Sequence, residues 1–155
     1  MRKLARSAVL LAAGLSLARL AAIVVSKRYE EGSEVSDEFR RTAVLGGLEF
    51  TSRARGLRSA EVGVVLGGAR VDLRHATLDP AGATVLLENV LGGVELLVRA
   101  DWSVAVQDTL VGGDTRIEVT PPTDLPDDAP RLDVHVVTRF GATAIKADAA
   151  GATPA

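Results

Sequence analysis

The sequence contains no cysteine and few aromatic residues. Cysteine is absent from all 155 positions, which excludes a disulfide framework, thiolate metal ligation and a cysteine nucleophile. Aromatic residues make up only 3% of a chain that is 47% hydrophobic, so any core must be built from valine, leucine and alanine. Aliphatic side chains of this size suit a narrow interior between closely stacked strands.

The sequence also lacks the common catalytic and phosphate-binding motifs. His75 and His135 are the only histidines, and neither lies in an HExxH setting, so both are interpreted as surface or hydrogen-bonded side chains. Asp124, Asp127 and Asp128 cluster in a proline-rich insertion without EF-hand spacing, which favours a solvated loop over a Ca²⁺ site. No Gly-x-Ser-x-Gly sequence or P-loop occurs. We therefore expect no enzyme activity, cofactor, metal or small-molecule substrate.

Charge is distributed unevenly along the chain. Residues 1–26 carry four basic side chains and no acid, which gives this segment a net charge of +4. Residues 27–155 carry 14 Lys or Arg against 20 Asp or Glu, a net charge of −6. An acidic body without aromatic-flanked basic stripes argues against a nucleic-acid partner.

An apolar segment runs from Ser7 to Ser26. As a helix, 20 residues would span roughly 30 Å, about one hydrocarbon core, which predicts a single membrane anchor despite Arg19 near its middle. A signal peptide cleaved after Ala18 and an amphipathic helix lying on the membrane or against the domain are the alternatives. The basic residues before this segment weakly place the N-terminus in the cytoplasm and the rest of the chain outside it.

A glycine turn recurs five times between short β-patterned runs. The copies begin VLGGLEF, VLGGARVDL, VLGGVELLV, LVGGDTRIEV and a decayed RFGATAIKA. The period is near 20 residues once two insertions, 79–82 and 121–130, are removed. The structural turn glycines predicted from these copies are Gly46, Gly47, Gly67, Gly68, Gly92, Gly93, Gly112, Gly113 and Gly141. Regular spacing of this kind predicts a stacked β-solenoid and disfavours unrelated hairpins.

Apolar and charged residues alternate after each glycine turn, as in Leu48-Glu49-Phe50. Period two predicts a half-buried strand with its charges outside, and the bare turn lets adjacent rungs approach closely. The fourth copy has Asp114 where the others have an apolar residue, which predicts a one-residue bulge or a local rim of the stack. In the fifth copy Ala142 replaces the second glycine, which is typical of a terminal cap.

Two further candidate sites arise from this alternation. Glu49, Asp72, Glu95 and Glu118 are expected to stack outward into a carboxylate ladder beside Arg70, Arg74 and Arg116. Five rungs are short for a polysaccharide groove, so the ladder is interpreted as a solubilising charged face and only as a remote catalytic candidate. Trp102, the sole tryptophan, is expected to fill a corner of the aliphatic core, with an interface anchor as the alternative.

The stretch from about 41 to 147 resembles the C-terminal domain of the LiaF-like family of cell-wall-active antibiotic response proteins. The resemblance lies in the recurring strand–GG–strand unit, VLGGARVDLRHATLDPAG followed by VLGGVELLVRADWSVAV, and in the position of Trp102. It implies a membrane-associated modulator of envelope-stress signalling, often acting on a histidine kinase. This chain has one candidate membrane helix where that family usually has several. A looser likeness to the bactofilins, short β-helices that polymerise, rests on rung length alone.

These observations predict four segments. Residues 1–26 form a membrane anchor or signal-like helix, 27–40 a charged tether, 41–147 a short right-handed β-solenoid, and 148–155 a flexible tail. The all-β domain is expected to be a non-catalytic, single-pass, membrane-tethered interaction protein of the bacterial envelope, with an extracytoplasmic domain. Its partner would be a protein such as a sensor kinase. A bactofilin-like scaffold that assembles with itself is the alternative, unless the tether and the acidic insertion cap the ends of the stack.

Overall fold

The structure, a computed structural model, describes residues 30–148. The predicted membrane helix with Arg19 lies outside these residues, and so does the predicted tail, 148–155, except for Asp148, which ends the last strand. The described chain is all-β apart from one 3₁₀ turn at Pro122–Asp124. Its ten strands are β1 Glu38–Val44, β2 Gly47–Thr51, β3 Ser59–Val65, β4 Gly68–Asp72, β5 Ala83–Val90, β6 Gly93–Arg99, β7 Ser103–Val111, β8 Asp114–Glu118, β9 Arg131–Arg139 and β10 Ala142–Asp148.

The strands form two parallel five-stranded sheets. Odd-numbered strands make the first sheet and even-numbered strands the second, and each odd strand passes through a glycine turn into the even strand that follows it. Each such pair is one rung, numbered here in chain order. Neighbouring rungs are in register along their whole length, so that equivalent side chains stack into columns. The strands and turns predicted from the repeat are therefore present.

The rungs do not stack in chain order. The first sheet has the order β1-β3-β5-β9-β7 and the second β2-β4-β6-β10-β8, so the fifth rung lies between the third and the fourth. The prediction that the fifth copy forms a terminal cap is therefore wrong. The proline-rich insertion is the connection that makes this possible, because residues 119–130 carry the chain from β8 at the end of the stack back to β9 inside it.

The predicted bulge in the fourth copy is also wrong. Asp114 pairs with Ala142 in the second sheet, so Gly113 is the structural equivalent of Gly141, and Gly112 is the equivalent of Phe140. Moving the alignment of this copy by one residue places Thr115 and Ile117 in the inward columns without any inserted residue. The apparent break in alternation came from matching the wrong glycine of the pair.

The core lies between the sheets and consists of aliphatic columns. Val62, Leu87 and Val136 stack in the first sheet and are at most 1% exposed, and Leu96 and Ile145 stack against them from the second. Burying each such side chain contributes roughly 1.5–3 kcal/mol. Trp102 is 2% exposed in the bend between β6 and β7, where it fills the corner expected from the sequence.

The two ends of the stack differ. At rung 1, the guanidinium of Arg41 lies 4.4 Å from the centre of the Phe50 ring and donates hydrogen bonds to the carbonyls of Glu31 and Gly32. Glu31 also forms an antiparallel bridge with Arg40, which covers part of the β1 edge. At rung 4, the inward-facing Leu110 and Ile117 remain 44% and 45% exposed. The β1 edge of rung 1 is thus partly covered, whereas β2 at that end and both strands of rung 4 are edge strands of their sheets within residues 30–148.

Candidate interaction surfaces

Each glycine turn begins with a residue in the left-handed region. Leu45, Leu66, Leu91 and Phe140 have φ values of 53°, 52°, 55° and 54°, and Gly112 takes this position in the fourth rung with φ 68°. The left-handed conformation costs a residue with a side chain roughly 1–2 kcal/mol. The neighbouring rungs impose it, because each of these four N–H groups donates to a carbonyl of the next rung in the stack.

The first glycine of each turn is required by the rung beside it. A Cβ on Gly67 would collide with the carbonyl oxygen of Gly46, and one on Gly92 would lie 2.6 Å from the oxygen of Gly67. Gly46, in the outermost rung, has nothing within 4 Å of its Cβ position. The second glycines Gly47 and Gly93 also face open space. In the first three pairs the steric demand therefore falls on the first glycine and only where another rung lies against it, whereas in the fourth pair Gly113 approaches the oxygen of Gly141 and Gly112 approaches the ring of Phe140.

The left-handed residues form an exposed apolar stripe along the turn edge. Leu45, Leu66, Leu91 and Phe140, which we call the turn ridge, are 43%, 49%, 52% and 62% exposed. The adjacent outward column of the first sheet adds Val44, Val65, Val90 and Val111, interrupted by Arg139. Sequence reasoning missed this surface, because the last residue before each glycine looked like part of a buried apolar run. The signal was present: a large apolar residue occupies that position in four of the five turns.

The outer face of the second sheet carries a second candidate surface. Gly47, Gly68 and Gly93 stack in one outward column that continues to Ala142 and ends at Asp114, and this column forms the floor of a shallow open groove of about 570 Å³. The next outward column alternates in charge through Glu49, Arg70 and Glu95 and then continues to Ala144 and Arg116. A nearly bare backbone floor beside a charged wall lets another chain approach closely.

Ion pairs hold the charged wall together. Glu95 lies 2.7 Å from the Lys146 ammonium and 3.3 Å from the Arg70 guanidinium. The hydrogen bond from Lys146 lowers the pKa of Glu95 below its ordinary value, and Arg70 adds to this effect. Arg74 is 6% exposed and lies 2.7 Å from Asp72 and 3.3 Å from Asp148. A glycosidase acid needs a raised pKa, so Glu95 is tuned in the opposite direction and fits recognition better than proton transfer.

The carboxylate ladder predicted from the sequence is wrong as a single column. Glu49 and Glu95 share a column with Arg70 between them, whereas Asp72 and Glu118 lie in the next outward column with Leu97 and Lys146. The division arises because Asp72 lies two residues after Arg70, and Glu118 two residues after Arg116, so both belong to the neighbouring outward column. Arg116 pairs with Glu118 of its own strand, at 2.6 Å.

The remaining candidate residues lie apart. His75 is exposed in the bend after β4, and His135 lies on the outer face of the first sheet. Asp124, Asp127 and Asp128 are exposed in the proline-rich connection. Within residues 30–148 no three His, Cys, Asp or Glu side chains are grouped so that they could hold a metal ion. The structure brings none of these five residues into either surface.

Comparison with known proteins gives one curated relative. Over 91 residues, 59% of the chain, the sequence is 24% identical to Protein LiaF of Bacillus subtilis (strain 168). This chain is similar to LiaF. The resemblance inferred from the glycine-turn repeat is therefore confirmed as a LiaF-like relationship. The match spans 38% of the length of LiaF, so it relates a part of that protein to this one.

Two other comparisons with known proteins find no match. No family model matches the chain. No solved structure matches it either.

Among residues 30–148 there is no helix long and apolar enough to cross a membrane. The predicted anchor at 7–26 lies outside that range.

Proposed function

We propose that this protein is a non-catalytic interaction module of the bacterial cell envelope that modulates envelope-stress signalling. The predicted helix at 7–26 holds it at the cell membrane, and the LiaF-like domain lies on the extracytoplasmic side. Its partner is a membrane protein of the signalling system, such as a sensor kinase. The relationship to LiaF supports the setting, and the family resemblance described above supports the kind of partner. The right-handed winding of the stack is also part of the proposal, because parallel crossovers are right-handed in about 98% of cases.

The observation that carries the proposal is the outer face of the second sheet. It combines a floor of glycines with a wall in which Glu49, Arg70 and Glu95 alternate in sign at successive rungs. Adjacent rungs lie about 4.8 Å apart, so a partner that presents charges at that repeat meets three complementary contacts along the wall. Such a pattern specifies register and orientation, which a signalling contact requires.

A charge-reversal experiment in the native bacterium tests this proposal. Arg70→Glu is expected to abolish crosslinking between a photoreactive residue at position 51, in the outward column beside the wall, and its membrane partner, and to change the output of an envelope-stress reporter. The matched control is Arg40→Glu, which removes a similarly exposed ion pair with Glu61 on the outer face of the first sheet. A reporter and a crosslink that respond equally to both variants would contradict recognition by the second sheet.

The open end of rung 4 is the observation that favours the alternative, a scaffold that assembles with itself. Leu110 and Ile117 are exposed there, and β7 and β8 are edge strands whose free backbone groups can pair with another chain. A filament needs two open ends, and at rung 1 the bridge from Glu31 to Arg40 obstructs the β1 edge while β2 remains an edge strand. Pairing of two copies through rung 4 is therefore the assembly that the two ends favour.

A further inference from the structure

The residues of the turn ridge have a strained backbone conformation, and the fold does not require large apolar side chains at these positions. Four large apolar side chains occupy left-handed positions in which glycine or asparagine would be less strained. All four are more than 40% exposed, so their burial within the domain does not compensate for the strain. The rung spacing places them in a straight line about 14 Å long. Strained exposed apolar residues in a line indicate a surface that is covered in use.

The backbone beneath the ridge is suited to an apolar environment. The N–H groups of Leu45, Leu66, Leu91 and Phe140 all donate to carbonyls of the next rung, at 2.9–3.0 Å. The N–H groups just after the turn, such as that of Gly68 to the carbonyl of Gly46 at 2.9 Å, are paired in the same way. Paired amides can enter an apolar phase without the several kcal/mol that an unsatisfied group costs there.

The position of the ridge allows it to reach the bilayer that holds the protein, and this step depends on the proposed membrane anchor. Four residue steps separate Ser26 from Glu30, a reach of at most about 14 Å. Glu31 is paired with Arg40 in the middle of β1, and Leu45 lies five residues further along, roughly 16 Å away. The domain therefore lies close to the membrane surface, and rotation of the stack brings the ridge onto it.

We propose that the turn ridge inserts into the headgroup–acyl boundary of the phospholipid bilayer, so that the stack lies flat on the membrane. The side chains of the ridge are exposed and made wholly of hydrocarbon, whereas a protein interface of this length carries several hydrogen bonds. Arg139 is the one charged side chain in the outward column beside it, and it faces lipid phosphates. In this orientation the outer face of the second sheet remains free for a protein partner.

The absence of native cysteine permits a site-specific test with the full-length chain in vesicles. Leu91→Cys and Gln107→Cys are each labelled with an environment-sensitive fluorophore in vesicles of phosphatidylcholine and phosphatidylglycerol. Gln107 is an exposed residue on the outer face of β7, about 13 Å along the strand from the turn. We expect blue-shifted emission and quenching by brominated lipid at position 91 and neither at position 107. Flotation of the same vesicles reports the anchor separately.

A second pair of variants separates docking from folding. Leu66→Asn is expected to weaken docking about five-fold, as lower quenching at position 91, while thermal stability is unchanged or higher because asparagine tolerates a positive φ. Leu86→Asn, on the outer face of the first sheet, is the matched control and is expected to leave quenching unchanged. If the protein floats with the vesicles but quenching is equal at both labels, or absent at both, the ridge proposal is overturned while the membrane anchor is supported. The ridge would then be a contact surface for a protein. Failure to float overturns both.

Discussion

Replacing Gly92 by alanine and replacing its neighbour Gly93 by alanine should have opposite effects on the stability of the domain. A Cβ on Gly92 would lie 2.6 Å from the carbonyl oxygen of Gly67 and 2.8 Å from Val64 Cγ1. Relief requires the turns of rungs 2 and 3 to separate, which also lengthens the 2.9 Å hydrogen bond from Gly93 N–H to the same oxygen. Overpacking and a weakened hydrogen bond together cost about 2–4 kcal/mol. We expect Gly92→Ala, and more severely Gly92→Val or Gly67→Val, to destabilise the domain by at least this amount.

The neighbouring glycines supply the controls. Gly93 and Gly46 have nothing within 4 Å of their Cβ positions, so Gly93→Ala and Gly46→Ala are expected to be neutral or to stabilise the fold by about 0.5–1 kcal/mol through the unfolded chain. For a domain of this size, 2–4 kcal/mol corresponds to a fall in Tm of about 8–16 °C. Thermal unfolding followed by circular dichroism measures the difference. Equal Tm values for Gly92→Ala and Gly93→Ala would refute the stacked-turn geometry.

Three further predictions concern the core and the charged wall. Ile145→Ala should lower the free energy of unfolding by about 2–5 kcal/mol, because Ile145 is fully buried in rung 5. Ile117→Ala, in the same column but 45% exposed, should lower it much less. The reverse order in denaturant unfolding would contradict the inserted fifth rung. The pKa of Glu95 is lowered in the folded state by the hydrogen bond from Lys146, so the pair contributes stability above the ordinary glutamate pKa and loses it as pH falls through the lowered pKa. Glu95→Gln should therefore flatten the dependence of Tm on pH on the acid side of the ordinary glutamate pKa, and an unchanged slope would count against the pair. Asn89→Ala removes donors to the carbonyls of Gly92 and Ala142 and should cost about 1–3 kcal/mol by denaturant unfolding, so a neutral result would show that the polar contacts in the turn are dispensable.

The sequence predicts the strands and the turns well because both depend on local chemistry. Alternation at Leu48-Glu49-Phe50 recurs at each rung, and the glycine after each apolar run marks the one position where two turns touch. These features hold whatever the order of the rungs. The same reasoning correctly places Trp102 in a corner of the core, since an aliphatic stack has little other space for an indole ring.

The order of the rungs could not be predicted, because it depends on long-range pairing. Once the insertion 121–130 is removed, copy five follows copy four at nearly the same period as the earlier copies, and nothing local shows that residues 119–130 reverse the direction of the stack. Two details become clear only with the order known. Thr138 and Thr143 are buried in contact at 2.8 Å because they lie inside the stack. Ile117 tolerates exposure because the fourth rung forms the end.

The turn ridge was missed for a different physical reason. An apolar residue at the end of an apolar run is most simply assigned to the core, and periodicity alone does not show that the backbone has turned over at that residue. The positive φ at Leu66 or Leu91 rotates the side chain outward, and only the structure reveals it. The available clue was the large apolar residue at the left-handed position in four of the five turns, with Gly112 at that position in the fourth.

The measurement that tests the account most directly is the absolute mass of residues 27–155 in solution, by size-exclusion chromatography with light scattering across a wide concentration range. The obstructed β1 edge at rung 1 and the open rung 4 predict a monomer or, at high concentration, a dimer paired through rung 4. A ladder of masses that grows with concentration, or filaments, would contradict the interaction module and establish a self-assembling scaffold in its place.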